Sequence, residues 1–400
     1  MTKKELTIDD VNEALNEALK KFAENEKNLD EKNPYLKEDG KIFDEIVGKF
    51  CESLNSENSN EDFSWLEKFG VISEGENHKS NVNYAMPTHV HGDYKNGLIY
   101  HCLLNPGMQI NDKETFDNIK SYYESLSKKV EKGLSKEYGE SDYYFYEQMD
   151  LEIKDNYKNL NKEMVKEYIY DEKTSILTKE LLKIKHYLQE KEIDNKCIKL
   201  KRKDDLTRNV YYIWNYFKYL LKDSKQKIID SKYLDNLPYD YKLYGESREN
   251  AAKVTTNKVV NLELCPFRSE NASAVKKLSR TDYGKFSAYI IWYRIGKYLD
   301  DLEKNNNTEK PIFIFRSYYN KTSHDWKDIL VETLYEINKE EIDIEIIKEY
   351  IKVFEREYFY IFNSQNGMIS KDNLSYFDKN NEKKNISSKQ FDELRKLVKQ

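Results

Sequence analysis

The sequence lacks any apolar run approaching the ~20 residues that span a bilayer. Its opening, MTKKELTIDD, lacks the apolar stretch of a signal peptide. Cysteine is scarce: four residues, at 51, 102, 197 and 265, share no C-x-x-C spacing. That pattern suits thiols in a reducing compartment. Together these absences predict a soluble, cytoplasmic protein without a membrane partner. There is no G-x-x-x-x-G-K-[ST] loop and no G-x-G-x-x-G turn, so nucleotide hydrolysis and dinucleotide binding lose their signatures. No cofactor is expected. Aromatic residues are plentiful instead, with 33 Tyr and 17 Phe in 400 residues. A disordered chain has few aromatics, so this content argues against disorder. The length exceeds what one ordinary core usually holds and predicts two structural units.

The net charge of -6 is unevenly spread. Residues 1–80 carry 11 Lys/Arg against 20 Asp/Glu, a balance of -9, which leaves +3 for the remainder. Within that remainder, 195–228 holds 10 basic residues, Lys201, Arg202 and Lys203 among them, against 3 acidic ones. Net charge therefore does not exclude a polyanionic partner. The basic run reads equally as a solvated helix face, although Tyr211, Tyr212, Trp214 and Tyr216 interleave it and suit contact with nucleic acid.

Helical spacing of Val11, Leu15, Ala18, Leu19 and Phe22 predicts a first helix, with Thr7 as its cap and Asp9 and Asp10 in its first turn. A second helix is expected over 42–54. Residues 1–80 are thus read as a helical, acidic lead-in. Four short, nearly continuous apolar runs follow: 97–104, 258–264, 311–315 and 358–362. Each stops at a polar loop, and each suits a strand buried on both faces. Helical pattern between strands predicts right-handed crossovers in a parallel sheet. The stretch 112–250 is mostly helical in pattern and too long for a crossover, so it reads as a helical insertion with its own core.

In a parallel sheet the site lies beyond the carboxyl ends of the strands. That rule selects Asn105-Pro106-Gly107, Cys265-Pro266-Phe267-Arg268-Ser269, Arg316-Ser317 and Asn363-Ser364-Gln365-Asn366-Gly367. These loops are rich in Asn, Ser and Arg and poor in Asp, Glu and His, which disfavours zinc hydrolysis and a Ser-His-Asp triad. Neutral amides and backbone N–H groups remain, suited to placing a water and reading a polar planar ligand. His89-x-His91 would turn both rings to one side of an extended segment. No third ligand is evident, so loop histidines near the site are expected rather than a metal.

Leu104-Asn105-Pro106-Gly107 after a strand resembles the first motif of the uracil-DNA glycosylase superfamily in its Asn-Pro-Gly form. That form belongs to the mismatch-specific and single-strand-selective branches. Val259-Val260-Asn261-Leu262-Glu263-Leu264-Cys265-Pro266 is similar to the superfamily strand that ends in a base-binding Asn. Pro311–Arg316 sits where the third strand falls, and 363–370 resembles the last loop, which presses on DNA. The chain departs from the pattern at Ser364, where Pro is usual, and in the long interval between the first two motifs.

The resemblance implies a three-layer α/β/α fold with a four-stranded parallel sheet, formed by 81–111 and 251–370 and closed by a tail helix within 371–400. It implies a DNA glycosylase that flips a modified base from single- or double-stranded DNA and hydrolyses its N-glycosidic bond. Uracil and a bulky modified pyrimidine of phage DNA both suit it, giving a repair or antiviral role. Asn105 would orient the water and Asn363 would assist at the reacting centre. Asn261, Gly107, Phe267 and Asn366 would hold the base, and Arg268, Arg316 and Ser364 would bind DNA beside the basic run. A catalytically silent relative that binds DNA or protein is the alternative, and a helical interaction protein is a third reading.

Overall fold

A computed structural model of the chain describes residues 8–55, 87–104, 162–190, 192, 210–222, 229, 232–235, 258–266, 280–319, 325–339, 341–364 and 367–399. In chain order, helices α1 (Ile8–Glu24), α2 (Glu26–Asp30) and α3 (Lys41–Asn55) precede strands β1 (Val90–His91) and β2 (Ile99–Leu103). Helix α4 (Lys162–Ile169), strand β3 (Tyr170–Asp171) and helix α5 (Ile176–Glu190) come next, then a π-helical turn (Ile213–Phe217) and α6 (Lys232–Asp235). The chain continues as β4 (Val259–Glu263), α7 (Asp282–Glu303), β5 (Ile312–Phe315), α8 (Trp326–Ile337) and α9 (Ile344–Tyr358). It ends with β6 (Phe359–Phe362), β7 (Leu374–Phe377), β8 (Lys383–Asn385) and α10 (Ser388–Lys399).

The expected strands 97–104, 258–264, 311–315 and 358–362 are β2, β4, β5 and β6. They pair in parallel as β4-β2-β5-β6, with Cys102 opposite both Leu262 and Phe315. The sheet is nevertheless not the four-stranded parallel one expected. It is an eight-stranded mixed sheet in the order β3-β1-β4-β2-β5-β6-β7-β8. β1 runs antiparallel to β4 on one side, and β7 and β8 extend the other side in antiparallel fashion. The physical reason is local. β1 and β3 are two residues long, and β8 is an exposed edge of Lys383, Lys384 and Asn385, so none carries an apolar run. No helix among the described residues is long and apolar enough to cross a membrane.

Alternation along the strands divides the core between two faces. Tyr100, Cys102, Val260, Leu262, Phe313 and Phe315 pack on one side with residues of α1, α3, α7, α8 and α9. Ile99, Leu103, Val259, Ile314 and Phe362 pack on the other with α5, the π-helical turn, α6 and α10. Parallel strands covered on both faces need continuous apolar sequence, which is what made them legible. The described residues between 162 and 235, inside the stretch read as an insertion, supply β3 to the sheet and much of the second layer.

The acidic N-terminal helix packs into the first layer. Val11, Leu15, Leu19 and Ala23 are buried at four-residue steps, and Gly296 of α7 lies directly beneath Leu19. A Cβ added at Gly296 would stand 2.1 Å from the Leu19 carbonyl oxygen. The obstacle is backbone, so neither helix can absorb it by rotating a side chain. Gly296→Ala is therefore expected to lower unfolding stability by about 3 kcal/mol, at the upper end for overpacking. Denaturant unfolding checks this, and an unchanged midpoint would mean that α1 does not dock there.

Candidate functional site

One row of residues crosses four strands at a single register. Asp171 of β3 lies opposite His91 of β1, His91 opposite Asn261 of β4, and Asn261 opposite His101 of β2. All four are buried: Asp171 is 4 % exposed, His91 3 %, Asn261 1 % and His101 0 %. Partners opposite one another on adjacent strands share a face. Here that face lies under α5 and the π-helical turn, because Lys179 of α5 bonds Asp171 and His91 while Tyr216 and Phe217 of the turn pack on His101.

At the outer end of the row, Lys179 Nζ is 2.8 Å from Asp171 Oδ2 and donates to His91 Nδ1 at 3.4 Å. Asp171 Oδ1 also accepts the backbone N–H groups of Lys173 and Thr174. A buried ion pair with this many hydrogen bonds is fixed in place. The inner end is different. Asn261 Nδ2 is 3.2 Å from His101 Nδ1. An amide nitrogen only donates, so Nδ1 is the acceptor and the neutral ring carries its proton on Nε2. Burial, reinforced by the positive charge of Arg316, pushes the His101 pKa down to about 3. His101 Nε2 and Asn261 Oδ1 are both buried, and neither finds a hydrogen-bond partner among the described residues. Leaving such groups unmet costs about 1–3 kcal/mol each.

Aromatic rings and a cation surround this pair. The Tyr216, Phe217 and Phe362 ring centroids lie 4.6, 5.2 and 6.1 Å from that of His101. Arg316, just past β5, donates from Nη1 to the Tyr216 hydroxyl at 2.6 Å. Burial raises the Tyr216 phenol pKa against the opposing pull of Arg316. Alternation along β4 puts Glu263 on the Asn261 face; its carboxylate is 1 % exposed and adds to the upward shift of Tyr216.

The π-helical turn that carries Tyr216 is held by a carboxylate. Glu180 of α5 accepts the backbone N–H of Tyr212 at 2.8 Å and of Ile213 at 2.6 Å, where the free N–H groups of a helical start favour an anion. π turns are rare and are found mostly at functional sites. Glu180→Ala would leave two buried N–H groups unmet, and a loss of about 3 kcal/mol is expected. Glu180→Gln keeps one acceptor and should lose about half as much. Unfolding midpoints of the two variants check the order.

Of the sequence-predicted residues, Asn261 and Arg316 come together around His101 and Tyr216. Asn363 is exposed at the end of β6, with both ends of its amide engaged: Nδ2 donates to Asn385 Oδ1 at 3.0 Å, and Oδ1 accepts from the Ser375 hydroxyl at 2.6 Å. Ser364 is also exposed, and its N–H donates to Asn373 Oδ1 at 3.0 Å. Asn105, Gly107, Phe267, Arg268, Asn366, Lys201, Arg202 and Lys203 lie outside the described residues, as does the Thr7 cap. Within the described part of the basic run, Tyr212 and Tyr216 point into the core, and Lys218 lies 3.8 Å above the Trp214 ring.

Both histidines of His89-x-His91 are buried: His91 lies in β1 within the row, whereas His89 lies just before β1, and they have separate partners. His89 Nε2 is 2.9 Å from the Ser287 hydroxyl, which itself donates to the Glu263 carbonyl. Ser287 therefore accepts from Nε2–H, and His89 Nδ1 accepts from the Tyr35 hydroxyl at 2.7 Å. Among the described residues no group of three or more His, Cys, Asp or Glu is placed to hold a metal.

The sequence reading passed over His101, Tyr216 and Glu263 as site residues. The signal was present: a His within the first apolar run, and Asn261 and Glu263 within the second. Polar residues in strands covered on both faces need partners or a purpose. No family model, curated protein or solved structure matches the chain. The fold itself is mixed α/β, built on the eight-stranded mixed sheet.

Proposed function

We propose that the protein is a DNA glycosylase, related to the uracil-DNA glycosylase superfamily through the parallel block β4-β2-β5-β6. In this reading a flipped base enters against the Asn261 face at the carboxyl side of that block. A water oxygen bonds to C1′ as the C1′–N bond breaks and releases one proton to solvent, while the base departs with the bonding electrons and takes up a proton from solvent. Asn105, which follows β2, orients the water; Asn261 reads the base edge; Arg316 supplies positive charge to the departing base or a phosphate. The leaving base carries negative charge in the transition state, so a nearby cation stabilises it.

The observation that carries the reading is the Asn261 amide. It is a buried group with its nitrogen committed to His101 and its oxygen unmet among the described residues, two residues from the end of a parallel strand. A base N–H satisfies that oxygen. One observation favours the catalytically silent alternative: the amide of Asn363 is already engaged at both ends, leaving it little to offer a reaction.

The test is to incubate the protein with oligonucleotides carrying uracil, hydroxymethylcytosine or glucosylated hydroxymethylcytosine, and with modified phage DNA, followed by alkaline cleavage. Strand breaks at the modified positions support excision. Salt-dependent binding with no breaks moves the reading to a silent DNA-binding protein.

A further inference from the structure

Among the described residues the buried Asn261 Oδ1 meets no hydrogen-bond partner. Nor does His101 Nε2, on the neighbouring strand at the same register. The tautomer follows from the Asn261 contact, so the pair offers one acceptor, Oδ1, and one donor, Nε2–H, from residues opposite one another on adjacent strands. Aromatic rings flank the imidazole, with Tyr216 nearest at 4.6 Å and held by Arg316. A donor and an acceptor beside a ring wall complement the edge of a neutral planar heterocycle.

We propose that His101 is a second base-reading residue, donating from Nε2–H to a carbonyl or ring-nitrogen acceptor of the base whose N–H meets Asn261 Oδ1. The proposal rests on the assignment of Asn261 as the base reader. It adds a residue that none of the strand-end motifs contains, since His101 lies inside the strand and not in the loop after it. It also narrows the ligand to an uncharged heterocycle. The imidazole stays neutral down to a pH of about 3 because burial disfavours its cation, so it presents the same donor throughout the physiological range. A side chain that must donate one hydrogen bond, accept another and carry no charge is well supplied by a desolvated histidine.

The test uses the full chain labelled with 15N-histidine and titrated with free uracil, thymine, cytosine, 5-hydroxymethylcytosine and adenine. At least one base should shift the His101 Nε2–H resonance downfield. His101→Phe keeps the ring but removes both nitrogens, and should weaken that base about 10- to 100-fold, the equivalent of one buried hydrogen bond. His101→Gln retains a donor and an acceptor and should stay within tenfold of the wild type, a rescue that loss of packing alone would not give. If His101→Phe fails to fold, the wild-type titration and His101→Gln still decide. A resonance that no base moves, as for a proton held by a permanent buried water, overturns the proposal. So does wild-type affinity in His101→Phe. The two readings fail separately: a base shift without any excision removes the glycosylase reaction but keeps His101, whereas excision with an indifferent His101 does the reverse.

Discussion

Asn261→Ala should lower base excision by about 10²- to 10³-fold, the cost of removing one preorganised hydrogen-bonding group from a site where charge develops. Stability should barely follow. The substitution removes one unmet acceptor, Oδ1, and exposes another, His101 Nδ1, so the two changes of about 1–3 kcal/mol oppose each other. A large loss of rate with a nearly unchanged unfolding midpoint separates a reading group from a structural one. Single-turnover excision and denaturant unfolding on the same preparation give both numbers. If rate and stability fell together, Asn261 would be a core residue and the site would lie elsewhere.

The second large effect is on the pH dependence of folding. His89 and His101 are both fully buried and neutral, and burial lowers both pKa values to about 3 from the ordinary 6.5. In the unfolded chain each takes up a proton as pH falls through 6.5, while the folded protein does not. Stability is therefore complete above pH 6.5 and is lost progressively as pH falls toward 3, because the unfolded state binds more protons. Each histidine contributes a limiting slope of about 1.4 kcal/mol per pH unit. Between pH 6.5 and pH 5 the two together should remove about 3 kcal/mol. Few carboxylates titrate in that window, so unfolding midpoints at pH 7, 6 and 5 isolate the histidines. A flat profile would mean that both rings are hydrated in the folded protein.

The parts of the fold that were legible in the sequence are those whose physics is local. Four apolar runs gave the parallel block because strands covered on both faces leave no room for alternation. Helix α3 falls within a residue of its expected ends, 42–54 against Lys41–Asn55. The four other strands were illegible for the opposite reason. β1 and β3 exist only through pairing with partners distant in sequence, and β7 and β8 are short and partly polar. A two-residue strand has no period to read. The site divides in the same way. Asn261 entered through the resemblance of its strand, whereas His101 sits inside an apolar run, where only the three-dimensional neighbours reveal that its outer nitrogen meets no partner among the described residues. Tyr216 was read as an aromatic of a basic surface run. It faces inward because Glu180, 33 residues from Ile213, holds the turn that carries it.

The most direct measurement is mass analysis of what leaves modified DNA when the protein is added. Hydrolysis at C1′ releases a free base and leaves an intact phosphodiester backbone with an abasic sugar. The predicted result is a free base from the wild-type protein and a sharply reduced yield from Asn261→Ala. Release of nucleotides, or no release from any substrate by a folded protein that binds DNA, would contradict the glycosylase account.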